Sequence, residues 1–151
     1  MSDVRELESG ESDLAALALS ELRTHLGSRE ELVAKVDAQR AHGYRLAASF
    51  QDGDSDAAAV AGFRICESLA WGRYLYVDDL VTRAALRGGG HADLVFAWVE
   101  REAQRQGCAQ LHLDSGVGAE RADAHRFYFR HRLRITSYHF ARELELYGKR
   151  R

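Results

Sequence analysis

The feature that most constrains this 151-residue chain is a run of three glycines, Gly88-Gly89-Gly90, between a strand-like stretch and an amphipathic helix. Residues Tyr74 to Thr82 have the composition of a strand. From His91 to about Gln106, Val95, Trp98 and Val99 fall on one helical face, and Gly107 supplies the stop. Cys108 to Asp114 then reads as a short buried strand. Strand, glycine turn, helix and strand make a βαβ unit, and its right-handed crossover sets the two strands parallel. Glycines opening a helix leave a backbone without side chains, whose unpaired N–H groups and positive dipole end favour an anion such as phosphate or pyrophosphate.

The remaining segments add helices and an antiparallel sheet. After a short strand at Val4 to Leu7, Ser12 is expected to cap a helix that places Leu19, Leu22 and Leu26 on one face and stops at Gly27. Ser28 and Glu31 form a capping-box pattern for a second helix with Leu32, Val33 and Val36, closed by Gly43. Tyr44 to Gln51, Ala58 to Glu67 and Tyr74 to Thr82 then read as a meander of three strands. A helix over Ala122 to His131 and an alternating strand from Tyr138 to Tyr147 complete a mixed α/β sheet. At this length, with 46% hydrophobic residues, no repeat and no linker, a single domain over 1–151 is expected.

Three phosphate-binding arrangements compete for the glycine turn. A Walker A loop needs Gly-Lys followed by Ser or Thr, and Gly90 is followed by His91-Ala92. A dinucleotide fold stays open, because Gly88-x-Gly90 follows a strand and Asp114 lies where a ribose-binding acid belongs. Against it, its third glycine position falls on Asp93, and the preceding strands read as antiparallel.

The third arrangement rests on two motifs. The segment Leu80-Val81-Thr82-Arg83-Ala84-Ala85-Leu86-Arg87-Gly88-Gly89-Gly90-His91-Ala92 resembles the acetyl-CoA motif of the GNAT N-acetyltransferase superfamily, with Arg87, Gly90 and Ala92 at its defining positions. Downstream, Ala124-His125-Arg126-Phe127-Tyr128 is similar to the Ala-x-x-Phe-Tyr of the family's later helix. The resemblance spans about Tyr44 to Leu146. It implies the GNAT fold, a mostly antiparallel sheet with one parallel βαβ crossover flanked by helices, and acetyl-CoA as co-substrate. It further implies that the main chain of Gly88, Gly89, Gly90, His91 and Ala92 holds the CoA pyrophosphate. Leu80, Val81 and Thr82 would pair with the pantetheine arm and could polarise the thioester carbonyl. The chain departs from the family where Arg121 replaces a frequent Asn and Arg132-Leu133 replaces Gly-Phe, at the acceptor end.

Acetyl transfer to an amine needs a base for the protonated amine and an acid for the departing thiolate. The resemblance places Tyr128 as that acid; the alternative is an ordinary core aromatic between Phe127 and Phe129. It places Asp78, of the pair Asp78-Asp79, where spermidine/spermine-type relatives carry a Glu, so Asp78 is the candidate base. A pair of solvated strand-end charges explains the same residues equally well. Neighbouring strand residues face opposite sides, so only one aspartate is expected in a cleft. Tyr74 and Tyr76 alternate with Asp78 and read either as acceptor-site lining or as sheet packing.

Other classes are disfavoured. Lys plus Arg total 21 against 23 Asp plus Glu, a net charge of -2, so neither nucleic acid nor an anionic membrane is the expected partner. No apolar run is long enough to span a bilayer, and the opening Met1-Ser2-Asp3-Val4-Arg5-Glu6 has no basic-then-apolar stretch, so a cytoplasmic protein is expected. Cys66 and Cys108 form neither a C-x-x-C pair nor a disulfide framework. His125, His131 and His139 lack metal-ligand spacing, so no metal is assigned. The basic run Arg121, Arg126, Arg130, Arg132 and Arg134 reads first as a solvated face, with the CoA 3′-phosphate as the other reading. The resulting expectation is a transferase acting on a primary amine of a small molecule by direct ternary-complex attack. A non-catalytic acyl-CoA sensor with the same fold remains the alternative. Relatives are commonly homodimers, and the alternating C-terminal strand could pair across a two-fold axis.

Overall fold

Four strand-period segments pair side by side in chain order. In the computed structural model, which describes residues 3–148, β1 (Asp3–Leu7), β2 (Arg45–Phe50), β3 (Ala59–Ser68) and β4 (Gly72–Thr82) form an antiparallel meander. β5 (Gln110–Leu113) adds to β4 in parallel, giving the order β1-β2-β3-β4-β5. The expected meander and crossover are both present. With strands β1 to β4 antiparallel, the alternating strands and helices of a dinucleotide fold are absent.

Alternation along the strands divides the core into two layers. Leu46, Ala48 and Val60 point toward α1 (Ala16–Leu22) and α2 (Arg29–Arg40), where they pack with Leu19, Leu32 and Val36. Ala47, Ala61, Phe63, Leu75 and Val77 pack on the other face against Val95 and Val99 of α3 (His91–Arg105). Each fully buried Leu, Val or Phe contributes roughly 1.5–3 kcal/mol of transfer free energy. Glu102 of α3 is the charged exception, 2% exposed and ion-paired with Arg45 and Arg105.

Local chemistry explains most element ends. Ser28 Oγ accepts from the Glu31 amide at 3.2 Å and caps α2, as expected. Gly43, at φ +89°, turns the chain into β2. The first helix departs from expectation. Ser12 is not its cap, because Ser12 Oγ donates to Asp37 and accepts from Arg40, and the segment Ser12–Ala15 is a 3-10 turn. α1 also stops at Leu22, before Leu26 and Gly27, because Arg23 leaves helical geometry and its guanidinium reaches Asp79. β5 was expected to be buried but is half-exposed, since among the described residues no strand pairs with its outer edge.

The chain divides into two compact units, Met1–Leu113 and Asp114–Arg151. In the second, a 3-10 turn (Ala119–Arg121) leads into α4 (Ala122–Arg130). His125 Nε2 lies 2.8 Å from the Gly116 carbonyl and 3.0 Å from Ser115 Oγ, which ties α4 to the loop before it. Arg132 takes the left-handed conformation at φ +66°, and the Leu133 amide closes on the Tyr128 carbonyl at 3.0 Å. The strand expected over Tyr138 to Tyr147 does not form. Residues 134–148 are exposed, and a single extended segment without a neighbouring strand has no acceptors or donors for a ladder.

Candidate active site

β4 is the strand that shapes the site, because its two edges end at different places. β5 pairs only with Tyr74 to Val77, whereas β3 accompanies β4 to Thr82. Among the described residues, Leu80, Val81 and Thr82 therefore have a ladder partner on the β3 side alone. The divergence begins at a bulge: Phe63 opposes Val77 and Gly62 opposes Asp79, so Asp78 is an extra residue in β4. Bulges bend a strand and re-aim its side chains.

The bulge overturns the expectation that Asp78 and Asp79 face opposite sides. Both carboxylates reach groups on the α1/α2 side of the sheet. Asp78 Oδ2 accepts from Arg64 Nε at 2.7 Å, and Arg64 is itself held by Gln39 and the His42 carbonyl at the end of α2. Asp79 accepts from Tyr44 on Oδ2 at 2.7 Å and from Arg23 on Oδ1 at 2.8 Å. The Arg64 guanidinium also lies 5.4 Å from the centre of the Tyr44 ring, joining the two halves. Burial, and then the charge of Asp79, push the Tyr44 phenol well above its ordinary pKa, so it stays a protonated donor. Both Asp79 oxygens are thus engaged. Among the described residues, Asp78 Oδ1 has no hydrogen-bond partner.

After β4, the Arg83 amide bonds to the Ala58 carbonyl, a 3-10 turn (Ala84–Leu86) follows, and the glycines lead into α3. Gly88 and Gly90 have φ of +84° and +83°, and a Cβ at either would meet nothing within 4 Å. Glycine is required there by backbone conformation, and the space beside it is open. Gly89 has an ordinary φ. Among the described residues, the N–H groups of Gly88, Gly89 and Gly90 have no backbone partner, and those of His91 and Ala92 begin α3, where no intrahelical acceptor exists. The His91 ring is buried, with Nδ1 3.1 Å from Ser49 Oγ of β2, so it anchors the turn and leaves only its main chain for a ligand. Arg87 is exposed immediately before the turn.

The remaining candidates are placed as follows. Tyr74 packs edge-on against Trp71 at 5.0 Å, with Trp71 stacked on His112 at 3.7 Å, which favours sheet packing for this tyrosine. Tyr128 stands in the second unit, half-buried on α4, with its ring near those of His125 and Phe127. Of the basic run, Arg126 pairs with Asp123 and Arg130 lies over the Phe127 ring at 5.3 Å. Cys66 and Cys108 are free and half-buried. No group of three or more His, Cys, Asp or Glu that could hold a metal exists among the described residues, and none of their helices is long and apolar enough to cross a membrane.

Tyr44, Arg23 and Arg64 escaped the sequence reading because they are remote from the motifs. Gly62 was the available signal: a glycine inside a strand-like run marks a bulge or a close approach. Here it marks both. A Cβ at Gly62 would lie 1.8 Å from the Tyr44 hydroxyl oxygen.

Comparison with known proteins bears on the family and the fold. The acetyltransferase (GNAT) family profile matches residues 12–132. An uncharacterised N-acetyltransferase of Bacillus subtilis, YhdJ, is 31% identical over 110 residues, covering 73% of this chain and 75% of its own. A ribosomal-protein-alanine N-acetyltransferase from Brucella melitensis superimposes with a TM-score of 0.79 at 16% identity, covering 95% of this chain and 100% of that one. An aminoglycoside N-acetyltransferase in complex with CoA gives a TM-score of 0.77 at 15% identity, covering 97% and 96%.

Proposed function

We propose, from the premise that this chain belongs to the acetyltransferase (GNAT) family, that it transfers the acetyl group of acetyl-CoA to a primary amine of a small molecule within a ternary complex. The observation that carries this reading is the pairing of an open main-chain cradle, Gly88 to Ala92, with the unpaired edge of β4 that leads to it. The residues present fit the co-substrate. Five successive N–H groups at a glycine-rich helix start suit a diphosphate, and an open strand edge suits an extended amide-bearing arm. Leu80, Val81 and Thr82 would hold that arm, and Arg87 stands beside the diphosphate end.

Acetyl-CoA supplies an activated acyl group whose thiolate leaves more readily when protonated. In this reading, Tyr128 provides that proton from its phenolic hydroxyl. Asp78 Oδ1 accepts the proton of the incoming ammonium, directly or through one water, while Arg64 holds Oδ2 and fixes the carboxylate. Asp79 serves structure. Because Asp78 and Asp79 are each paired with an arginine, the contact offered to a cationic acceptor is Asp78 Oδ1 alone. An aminoglycoside, the substrate named for one fold relative, is an acceptor of that chemistry. Cys66 and Cys108, both free thiols, suit the reducing cytoplasm as the place of action. A homodimer belongs to the same reading, because the C-terminal segment exposes a row of large apolar side chains.

Release of CoA thiol across a panel of amines is the test. Turnover on at least one cationic amine is expected. Acetyl-CoA binding without turnover on any amine would make the chain a sensor, and no binding at all would refute the cradle.

A further inference from the structure

We propose that Glu21 and Arg23, at the end of α1, are positioning residues that brace residues 78–84 and so hold the cradle turn and the candidate base at one spacing. This inference rests on the reading of Gly88 to Ala92 as the diphosphate site.

The turn that leads into the glycines has little of its own to hold it. Its bonds are local: the Leu86 amide reaches the Arg83 carbonyl at 2.9 Å, and the Arg87 amide reaches that of Ala84 at 3.5 Å. Three residues of 3-10 geometry set no orientation by themselves, and Gly88 and Gly90 follow with wide backbone freedom. The first amide of such a turn also lacks a local acceptor. Glu21 supplies one, because its Oε1 accepts from the Ala84 N–H at 2.7 Å. Among the described residues, this is the one hydrogen bond from 84–90 to a distant segment of the chain. Glu21 is exposed, so replacing it opens no cavity.

Two residues on, Arg23 holds the other end. Its Nε donates to Asp79 Oδ1 at 2.8 Å and its Nη2 to the Asp78 carbonyl at 3.1 Å. The second bond takes the main chain of the bulged residue whose Oδ1 is offered to the amine. Positions two apart on a helix face different ways. Arg23 leaves helical geometry, at φ -111° and ψ 71°, and this lets both side chains reach β4 and its exit. Between the two contacts, Val81 packs with Leu19 and Leu22 of α1. The loop after α1 is pinned in turn, since Lys35 Nζ of α2 donates to the Leu26 carbonyl at 3.2 Å.

The end of α1 thus grips the chain on both sides of Leu80 to Thr82, the stretch assigned to the extended arm of the co-substrate. A ligand that meets main-chain groups at both ends of such a stretch binds more tightly when their spacing is set beforehand. Glu21 sets it at the diphosphate end and Arg23 at the acceptor end.

The test uses CoA as the probe, with calorimetric titration and residue-resolved amide exchange on the full chain. Charge and brace predict opposite signs. Deleting a carboxylate near a diphosphate tightens binding by Coulomb's law, whereas deleting a brace weakens it. Glu21→Ala is expected to weaken CoA binding about fivefold, the worth of one hydrogen bond, and Glu21→Gln, which keeps an accepting oxygen, to bind at least as well as the wild type. The Ala84 amide should exchange about tenfold faster in Glu21→Ala and also in Arg23→Ala, which removes no contact of its own to Ala84, with β2 amides unchanged. Undiminished CoA binding by Glu21→Ala would overturn the proposal, as would equal weakening in Glu21→Gln. Faster exchange at Ala84 in Glu21→Ala alone would mean two separate contacts and would overturn it too. A wild-type protein that does not bind CoA would refute the cradle and the brace with it, whereas wild-type binding that Glu21→Ala leaves intact would refute the brace alone.

Discussion

Tyr44 donates its phenolic proton to Asp79 Oδ2 at 2.7 Å by crossing the face of Gly62, where even a methyl group has no room. The contact joins the end of the α2 loop to the bulged part of β4 and thereby fixes the strand beside the open edge. Three residues from three segments set one geometry, and each can be tested alone.

Gly62→Ala should destabilise the protein by about 2–4 kcal/mol, combining overpacking with loss of a hydrogen bond to a charged acceptor. Its Cβ would also lie 2.3 Å from Tyr44 Cζ and 2.6 Å from Cε1, so removing the hydroxyl alone cannot relieve the clash. Urea unfolding should therefore show that Tyr44→Phe does not rescue Gly62→Ala. Full rescue would mean the ring sits elsewhere.

The pH dependence of stability follows from the same phenol. Burial and Asp79 raise the folded pKa of Tyr44 above its ordinary value near 10. A group raised on folding contributes its stability fully below the unfolded pKa and loses it as pH climbs toward the folded one. Wild-type stability should thus decline above about pH 10, and Tyr44→Phe should decline less steeply over that window. Parallel curves in urea titrations from pH 8 upward would contradict the assignment.

At the cradle, Gly89→Glu separates ligand binding from folding better than changes at its neighbours. Gly88 and Gly90 require positive φ, so any side chain there strains the backbone; Gly89 does not, and its Cβ would meet His91 Cδ2 at 3.4 Å, the Leu86 carbonyl oxygen at 3.5 Å and His91 Nε2 at 3.8 Å. The variant should keep its stability within about 1 kcal/mol while acetyl-CoA affinity falls by roughly tenfold or more from the added negative charge. Urea unfolding reads the stability and calorimetric titration the affinity, and undiminished binding would move the diphosphate away from this turn.

Tyr128→Phe should lower turnover by about 100-fold, the lower range for loss of a general acid, with acetyl-CoA affinity nearly unchanged. Steady-state kinetics with a separate binding titration distinguish this from a packing defect, which would weaken both. An unaltered kcat would remove Tyr128 from the chemistry.

Arg132 holds a left-handed conformation where the family usually places glycine. Arg132→Gly should therefore stabilise the end of α4 by about 1 kcal/mol, the cost of a side chain in that region. Loss of stability in a thermal melt would show that the Arg132 side chain makes a compensating contact.

Sequence alone determined the parts of this protein that depend on neighbours along the chain. The meander from Tyr44 to Thr82, the Ser28 cap, the glycine start of α3 and the parallel pairing of β4 with β5 all follow from local period, turn chemistry and the handedness of a crossover. Tertiary structure decided what depends on contacts between distant segments. Arg23 ends α1 by reaching Asp79, Ser12 is taken from its cap by Asp37 and Arg40, and the bulge at Asp78 turns two adjacent carboxylates to one face. The C-terminal segment shows the same division in reverse: its alternation is plain in the sequence, but alternation specifies a face and a strand also needs an edge. Local pattern chooses a conformation, and only a partner across space can satisfy its hydrogen bonds.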